Sequence, residues 1–183
     1  MEKVLVLPSV ENLQRQWVTT NLRSTSLLKR NLGIPSAISH STMNAVLTNE
    51  VTQGTEVIVK KFFFPKGLLG FENVKKYTLT TKSSETPFSR LKMEEGEGYT
   101  LLLLPVMGFF PDYNPTFCRD DMASLDIRDP NELLMFNVAN FSRGNRPTVN
   151  LKGPILFNQK MKLGAQVVIA NAADYSTKEV LPL

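Results

Sequence analysis

The sequence has only one cysteine and one histidine, and this scarcity excludes several kinds of catalytic and metal site. Cys118 by itself can form neither an internal disulfide nor a cysteine-based zinc site. A Ser-His-Asp triad, a two-histidine metal centre or a histidine proton relay would all need His40. That histidine lies in an N-terminal segment that we expect outside the folded domain, so neither a hydrolase nor a metalloenzyme is expected.

Long apolar runs are also missing. A transmembrane helix needs about 20 consecutive apolar residues, whereas the longest apolar runs here are short, such as residues 101–104. The first residues lack the basic stretch and the apolar core of a secretory signal. The sequence therefore predicts neither a membrane span nor a signal peptide.

Acidic residues are absent from residues 12–49, which carry four basic residues and ten serines and threonines. This composition permits an organelle transit peptide. It is more typical of a disordered tail, or of sequence upstream of the native start. We predict that residues 1–46 form an N-terminal extension, disordered or not part of the native product, and that a single domain occupies residues 47–183.

The formal net charge of +4 hides strong segregation along the chain. Residues 60–90 hold seven basic and two acidic residues, whereas residues 91–132 hold three basic and nine acidic residues. A uniformly basic surface for nucleic acid is therefore not expected. The carboxylates after Asp120 do not follow the spacing of a calcium-binding loop. We interpret them as a solvated acidic face that could attract a basic partner and repel RNA.

Short strand signals recur from residue 51 onward, with turn residues between them. One helix is predicted over residues 120–127, with Asp120 as its N-cap and Met122 and Leu125 facing inward. This pattern predicts a mainly β single domain, a small antiparallel β-barrel with one short helix. The predicted strands are residues 57–64, 76–81, 88–93, 99–107, 133–141, 148–152, 154–157 and 164–170.

A glycine-containing turn is predicted after the first strand. Gly67 and Gly70 permit positive φ angles, which would present Phe71 and Glu72 outward. The turn is no phosphate loop, because it lacks the Gly-Lys-Ser/Thr ending and a following helix. In the alternative arrangement the Phe71 ring packs inward, as aromatic rings usually do. Lysines at positions 60, 61, 66, 75 and 76 could form a basic rim around the turn.

An aromatic loop follows at residues 109–113, where Phe110, Asp112 and Tyr113 stand close together. Prolines at positions 111 and 115 stiffen the loop, and a stiff aromatic loop is typical of binding hot spots. Alternatively, the loop is an aromatic corner tucked against the barrel, with the Tyr113 hydroxyl bonded to the backbone. The residues leave both arrangements open.

The most informative segment runs from Asn150 to Asn158. Alternating apolar residues lead into Gly153 and Pro154, and an apolar strand then ends at Asn158. Proline cannot donate to a sheet ladder, so Pro154 fits a strand start, an edge or a bulge. Asn150 could contact a partner, or both asparagines could hold the Gly153-Pro154 break through side-chain hydrogen bonds.

These motifs, together with residues 165–169, resemble the FliW family of bacterial flagellar assembly factors. The resemblance implies a non-catalytic cytoplasmic binding protein without cofactor or metal, monomeric and without direct nucleic-acid binding. Family members bind flagellin and, in competition with it, the RNA-binding translational regulator CsrA. Leu69 stands where the family turn has a second proline, which predicts a looser turn. The implied partner-binding residues are Phe71, Glu72, Phe110, Asp112, Tyr113 and Asn150, and the structural ones are Gly67, Gly70, Gly153, Pro154 and Asn158.

The alternative function is that of a β-barrel protein that binds single-stranded RNA or DNA. It would use the lysines of residues 60–76 and exposed aromatic rings. Its affinity for RNA would then fall steeply with salt.

Overall fold

A computed structural model of the protein describes residues 56–127, 132–142 and 145–182. The extension predicted at residues 1–46, with its boundary and His40, lies outside the described residues. The mainly β fold with one short helix is confirmed. The strands of the described residues are β1 (Val57–Phe63), β2 (Lys76–Lys82), β3 (Ser89–Met93), β4 (Thr100–Leu104), β5 (Leu133–Asn140), β6 (Thr148–Val149), β7 (Ile155–Asn158), β8 (Leu163–Gln166) and β9 (Glu179–Val180).

Seven of these strands close into a barrel. The order is β4-β3-β2-β1-β8-β7-β5, and pairing between β4 and β5 closes the ring. β6 and β9 extend the sheet from β5. The ladders are antiparallel except between β1 and β8, which are parallel and meet only at Phe63 and Leu163. The predicted antiparallel barrel is therefore confirmed, with one short parallel pairing that the sequence did not indicate.

The barrel encloses an aromatic core, which we call the inner cluster. Alternate residues of each strand point inward, as the period of two of a strand requires. Phe62, Phe64 and Phe157 meet edge to face, with ring centroids 4.7 Å apart for Phe62–Phe157 and 5.7 Å for Phe64–Phe157. The cluster consists of buried Phe62, Phe64, Leu68, Tyr77, Leu79, Leu91, Met93, Leu103, Leu134, Phe136, Ile155 and Phe157.

A second core, the outer cluster, lies between the barrel wall and the segments that cover it. The opposite faces of β4, β5 and β7 contribute Leu104, Leu133 and Leu156 to it. β4 is thus buried on both faces, as its unbroken leucines predicted. The covering segments include residues 105–127 with helix α1 (Arg119–Ser124) and residues 167–181.

The helix differs from its prediction at both ends. It begins at Arg119 with Cys118 at the N-cap, so the prediction of Asp120 as N-cap is wrong. Asp120 instead lies in the first turn, where the positive end of the helix dipole favours a carboxylate. Met122 and Leu125 are buried as predicted. The helix ends at Ser124, three residues before the predicted end at residue 127.

Three predicted strands are shorter in the structure. The strand expected over residues 99–107 ends at Leu104, because Pro105 has no amide to donate and a 3-10 turn follows at Val106–Gly108. β6 stops at Val149, since the Leu151 amide donates to Ser176 O over 2.9 Å instead of joining a ladder. Residues beyond Gln166 leave β8, and the Val167 amide donates to Pro154 O over 3.0 Å. Among the described helices, none is long and apolar enough to cross a membrane.

A cleft at the mouth of the barrel as candidate functional site

One end of the barrel opens into a cleft of about 290 Å³. Its floor is apolar, because Leu101 of β4 and Val138 of β5 line it and are only partly buried against the inner cluster. Its opposite wall is polar and carries amide side chains and one cation, Lys178. The lining includes Leu68, Phe71, Leu101 and Val138 on the apolar side and Asn150 and Gln166 on the polar side.

The turn of residues 67–72 forms one edge of the cleft. Gly67 has φ of 72°, and a Cβ there would come within 2.5 Å of Phe71 O, so only glycine fits. The Gly70 amide donates to Glu72 Oε1 over 2.7 Å. This bond, more than any other contact, lowers the pKa of the Glu72 carboxyl. The predicted glycine turn is present, and it carries Glu72 on the surface.

Gln166 ties this turn to the segment around Gly153. Its Oε1 accepts the Leu69 amide over 3.0 Å, and its Nε2 donates to Gly153 O over 3.4 Å. A proline at position 69 would have no amide for the first of these bonds. Leu69 thus anchors the turn to β8 through a bond that the expectation of a looser turn did not include. The sequence analysis missed Gln166, although its polar side chain within the apolar residues 165–169 was a signal.

Asn150 lines the cleft and also shapes the backbone beneath it. Its Oδ1 accepts the Lys152 amide over 3.0 Å, which makes a local turn before Gly153. Its carbonyl accepts the buried Asn137 Nδ2 over 2.7 Å. A Cβ at Gly153 would lie 3.3 Å from Asn150 Nδ2 and Gln166 Nε2, so the absence of a side chain lets the two amides converge. Asn150 therefore makes the kind of structural side-chain hydrogen bond considered from the sequence, and it also lines the cleft.

Phe71 is half-buried, so it is neither fully outward nor fully inward, the two arrangements that the sequence left open. Its ring packs against the inner cluster and lines the cleft. On the outer side it meets the ring of Tyr99, with centroids 5.6 Å apart. Leu69 and Tyr99 beside it are 59% and 50% exposed, so an apolar rim continues from the cleft onto the surface.

Carboxylates border this apolar rim. The Tyr99 hydroxyl donates to Glu97, and this bond raises the pKa of Tyr99. Glu95 Oε2 accepts the Lys75 amide over 3.2 Å, which places the β3–β4 turn next to the 67–72 turn. Exposed Glu94 precedes it in the same turn. The mouth of the barrel therefore has an acidic border formed by Glu72, Glu94, Glu95 and Glu97.

Of the lysines expected to form a basic rim around the turn, exposed Lys66 and half-buried Lys75 lie at the turn. Lys75 Nζ donates to Pro65 O over 2.9 Å and to Glu72 O over 2.6 Å, so this cation braces the turn. Lys76 lies 3.7 Å from Glu95. Lys60 and Lys61 belong to β1, which contributes no residue to the cleft.

The aromatic loop contributes no residue to the cleft. Tyr113 is 2% exposed, and its hydroxyl donates to Leu151 O over 2.7 Å, which is the corner arrangement considered from the sequence. Burial raises the pKa of Tyr113 to about 12. The Tyr113 side chain therefore lies inside the protein and does not form part of an exposed partner surface. Phe110 is half-buried against the outer cluster, and Asp112 is exposed.

Asn158 is a fully buried structural residue at the far end of the barrel. Its Nδ2 donates to Leu125 O over 2.9 Å, and its Oδ1 accepts the amides of Lys160 and Met161 over 2.9 and 3.0 Å. It therefore holds the end of α1 and the β7–β8 turn, not the Gly153-Pro154 break as considered. Buried Pro154 immediately precedes β7, which is the strand start expected of it.

Within the described part of the chain, no group of three or more His, Cys, Asp or Glu side chains is placed to hold a metal ion. Asp129, one of the carboxylates of the acidic segment, lies outside it. The cleft has groups suited to binding another molecule. It offers an apolar floor, amide groups that donate and accept hydrogen bonds, and an acidic border.

The cleft is lined by two of the motifs on which the family resemblance depended, the 67–72 turn and the segment that begins at Asn150. The model of the FliW protein family matches residues 45–181. The chain belongs to the FliW family. Flagellar assembly factor FliW of Thermotoga neapolitana is 34% identical over 122 residues, covering 66% of this chain and 81% of that protein. The factor of Natranaerobius thermophilus is 32% identical over 120 residues, covering 64% and 79%.

Structural comparison agrees with the family assignment. A crystal structure of the flagellar assembly factor FliW superposes with a TM-score of 0.62 at 25% identity, covering 68% of this chain and 87% of that one. The factor of Clostridium beijerinckii, 30% identical over 133 residues, matches 72% of this chain and 92% of its own length. The predicted FliW membership is confirmed, and the relatives that the chain matches are named flagellar assembly factors.

Proposed function

We propose that the barrel-mouth cleft of this FliW-family chain binds flagellin, and that a CsrA-type translational regulator uses an overlapping surface. Each partner would then exclude the other. The observation that carries the proposal is the convergence on one cleft of three separate segments, represented by Leu68, Leu69 and Phe71, by Asn150, and by Gln166. In this function the chain is a cytoplasmic monomer without catalytic activity.

The chemistry of the cleft suits a polypeptide ligand. Leu101 and Val138 offer an apolar floor for a partner side chain, and such anchors dominate binding energy in interfaces. Asn150 and Gln166 stand opposite, with amide groups that can pair with a partner's backbone. An unassembled flagellin subunit would supply both kinds of group.

The acidic border supports an RNA-binding regulator as the second partner. A protein that binds RNA presents cations for the phosphates. Glu94 and Glu97 beside exposed Tyr99 would attract such cations and give the complex apolar contact as well. The same carboxylates would repel RNA, which favours a protein partner over the alternative of direct nucleic-acid binding at this site.

The roles of Phe110 and Asp112 in partner binding stay predictions. Asp112 is exposed and lies in the loop whose Tyr113 is buried. A partner large enough to cover the mouth could reach this loop, but neither residue lines the cleft.

Isothermal titration against the host's own flagellin monomer, repeated with its CsrA present, tests the proposal. We expect flagellin binding that weakens as CsrA is added, because the two surfaces overlap. Flagellin binding indifferent to CsrA would leave a flagellin chaperone only. Absence of heat with both partners would contradict the proposed function while leaving the fold and the family unaffected.

Two aromatic substitutions locate the site. Phe71→Ala should weaken flagellin binding by about tenfold or more, because a buried aromatic anchor typically contributes that much or more to an interface. Phe141→Ala is the matched control, since Phe141 also stacks on one ring, Phe88, with centroids 5.4 Å apart, but lies outside the cleft. Equal affinity of the two variants would place the interface elsewhere.

A further inference from the structure

Strand β1 has a free backbone edge. The Phe63 amide donates to Lys162 O over 2.8 Å, which shows that Phe63 points its backbone groups away from β2. Alternation along an antiparallel strand places the amides and carbonyls of Val57, Val59 and Lys61 on the same side. β1 meets β8 only at Phe63, and the described residues provide these three with no backbone partner on that side.

The outward face beside this edge is unusually apolar. Val57, Val59 and Phe63 are 49%, 57% and 46% exposed. They occupy three of the four outward positions of one strand, with Lys61 as the fourth. An exposed strand edge with apolar side chains is a template for pairing with another polypeptide.

Three lysines give the edge a positive charge. Lys61 points outward from β1, Lys60 lies half-buried beneath it, and Lys162 lies in the adjoining β7–β8 turn. Lys60 Nζ bonds only to a neutral oxygen in the described structure, Gln159 Oε1 at 2.6 Å. Burial, and then the charge of Lys162, lowers the pKa of Lys60. None of the three forms an ion pair with a described carboxylate.

We propose that the edge of β1 from Val57 to Lys61 binds an extended acidic segment of another protein as an added strand. Its carboxylates would neutralise the three lysines, its apolar residues would cover Val57 and Val59, and its backbone would pair with the open amides and carbonyls. The cleft contains no residue of β1. The proposal is therefore independent of the function proposed for the cleft.

Two other occupants fit less well. A second copy pairing edge to edge would bring Lys60, Lys61 and Lys162 of both chains together without a neutralising carboxylate. Edge lysines are a known protection against such self-pairing. Single-stranded RNA would use stacked aromatic rings and no backbone edge, and this face has one exposed ring, Phe63.

The test uses the full chain and a short synthetic peptide that alternates glutamate with valine and threonine. Amide hydrogen exchange of Val57, Val59 and Lys61 should slow when the peptide binds, because the added strand takes up these donors. Val59→Pro should weaken binding by about tenfold or more, since proline removes one such donor and is tolerated where an edge amide faces solvent. Val59→Thr keeps the amide and the β-branched shape, and should bind like the original chain.

A charge-reversal variant tests the proposal even if the proline variant does not fold. Lys61→Glu should lose affinity for the glutamate peptide and gain affinity for the same peptide with lysines in place of glutamates. The proposal fails if the glutamate peptide leaves the three amides unprotected, or if Val59→Pro and Val59→Thr, both folded by circular dichroism, bind equally. A uridine oligonucleotide that binds this face when the peptide does not would also overturn it, in favour of a nucleic-acid site.

Discussion

Gly164 and Phe64 fit together as one unit in the barrel wall. A Cβ at position 164 would overlap the Phe64 ring, and this ring in turn packs on Tyr77 with centroids 4.5 Å apart. The lack of a side chain at position 164 of β8 therefore lets the Phe64 ring pack inside the barrel. A glycine in a strand interior often marks such a close approach.

We expect Gly164→Ala to lower the free energy of unfolding by about 1–3 kcal/mol, because overpacking displaces the Phe64 ring. Gly108→Ala is the matched control, since a Cβ there meets no atom within 4 Å and its φ is not positive. Urea unfolding of both variants measures the difference. Equal stability would show that Phe64 moves aside at little cost.

Tyr113 links stability to alkaline pH. Burial raises its pKa from 10.0 to about 12, so the folded chain keeps a proton that the unfolded chain loses. The resulting stabilisation is complete below about pH 10 and is lost as the pH rises to about 12. The free energy of unfolding should therefore fall more steeply across this window than in Tyr113→Phe, by up to about 3 kcal/mol. Urea unfolding at several pH values measures the slopes, and parallel slopes would contradict a protonated, buried Tyr113.

At the scale of elements, single amide side chains join segments that are far apart in the chain. Gln166 on β8 accepts the Leu69 amide and so connects the 67–72 turn to the barrel. Asn158 at the end of β7 connects the end of α1 to the β7–β8 turn. Each asparagine or glutamine has both a donor and an acceptor, which allows it to satisfy two backbone segments at once.

Removing the Gln166 acceptor should loosen the turn. In Gln166→Leu the Leu69 amide should exchange with solvent about fivefold faster, because a hydrogen bond of this kind contributes about 1 kcal/mol. Gln166→Glu keeps an acceptor oxygen and should retain most of the protection. Hydrogen exchange followed by NMR compares the two. Unchanged protection in Gln166→Leu would mean that the other bonds of the turn suffice.

Asn158→Ala should be more damaging, lowering the free energy of unfolding by about 2–4 kcal/mol, because it leaves buried backbone groups at both segments without partners. Asn140→Ala provides the control, since Asn140 is exposed and its Oδ1 accepts the Ser142 hydroxyl over 3.1 Å as its one side-chain hydrogen bond among the described residues. Chemical denaturation of both variants decides the matter. If Asn158→Ala lowers the free energy of unfolding no more than the control does, water replaces the lost hydrogen bonds.

At the scale of the whole molecule, acidic and basic residues are concentrated on different surfaces. The border of the cleft is acidic, whereas the free edge of β1 carries three lysines. A net charge of +4 describes neither surface. Opposite potentials on separate surfaces allow one small domain to attract partners of either sign, since surface potentials act over about 10 Å at physiological salt.

Neutralising the cleft border should weaken binding of a basic regulator selectively. The double variant Glu94→Gln, Glu97→Gln should slow association with CsrA and reduce its dependence on salt, because rim charges act mainly on the association rate. The double variant Asp120→Asn, Asp121→Asn changes net charge equally but lies on α1, outside the cleft. Stopped-flow mixing at several salt concentrations compares the two. The same loss in both variants would indicate a general charge effect instead of a defined border.

Sequence alone determined the class of fold and the family. The strand predicted over residues 88–93 is present as β3, and its alternate residues Ser89, Leu91 and Met93 are buried, because the period of a strand is local. The positions of Gly67, Gly70 and Pro154 predicted the turn and the strand start, because these residues restrict or extend the backbone at their own position.

Only the tertiary structure decided which motif residues share a site. Phe71 and Asn150 line the cleft while Tyr113 is buried in the outer cluster, although the sequence singled out all three as partner-binding candidates. The role of Gln166 and the free edge of β1 depend on strand order, which follows from barrel closure and not from local pattern. The physical reason is that backbone preference and burial period act over a few residues, whereas pairing across the barrel joins residues up to a hundred positions apart.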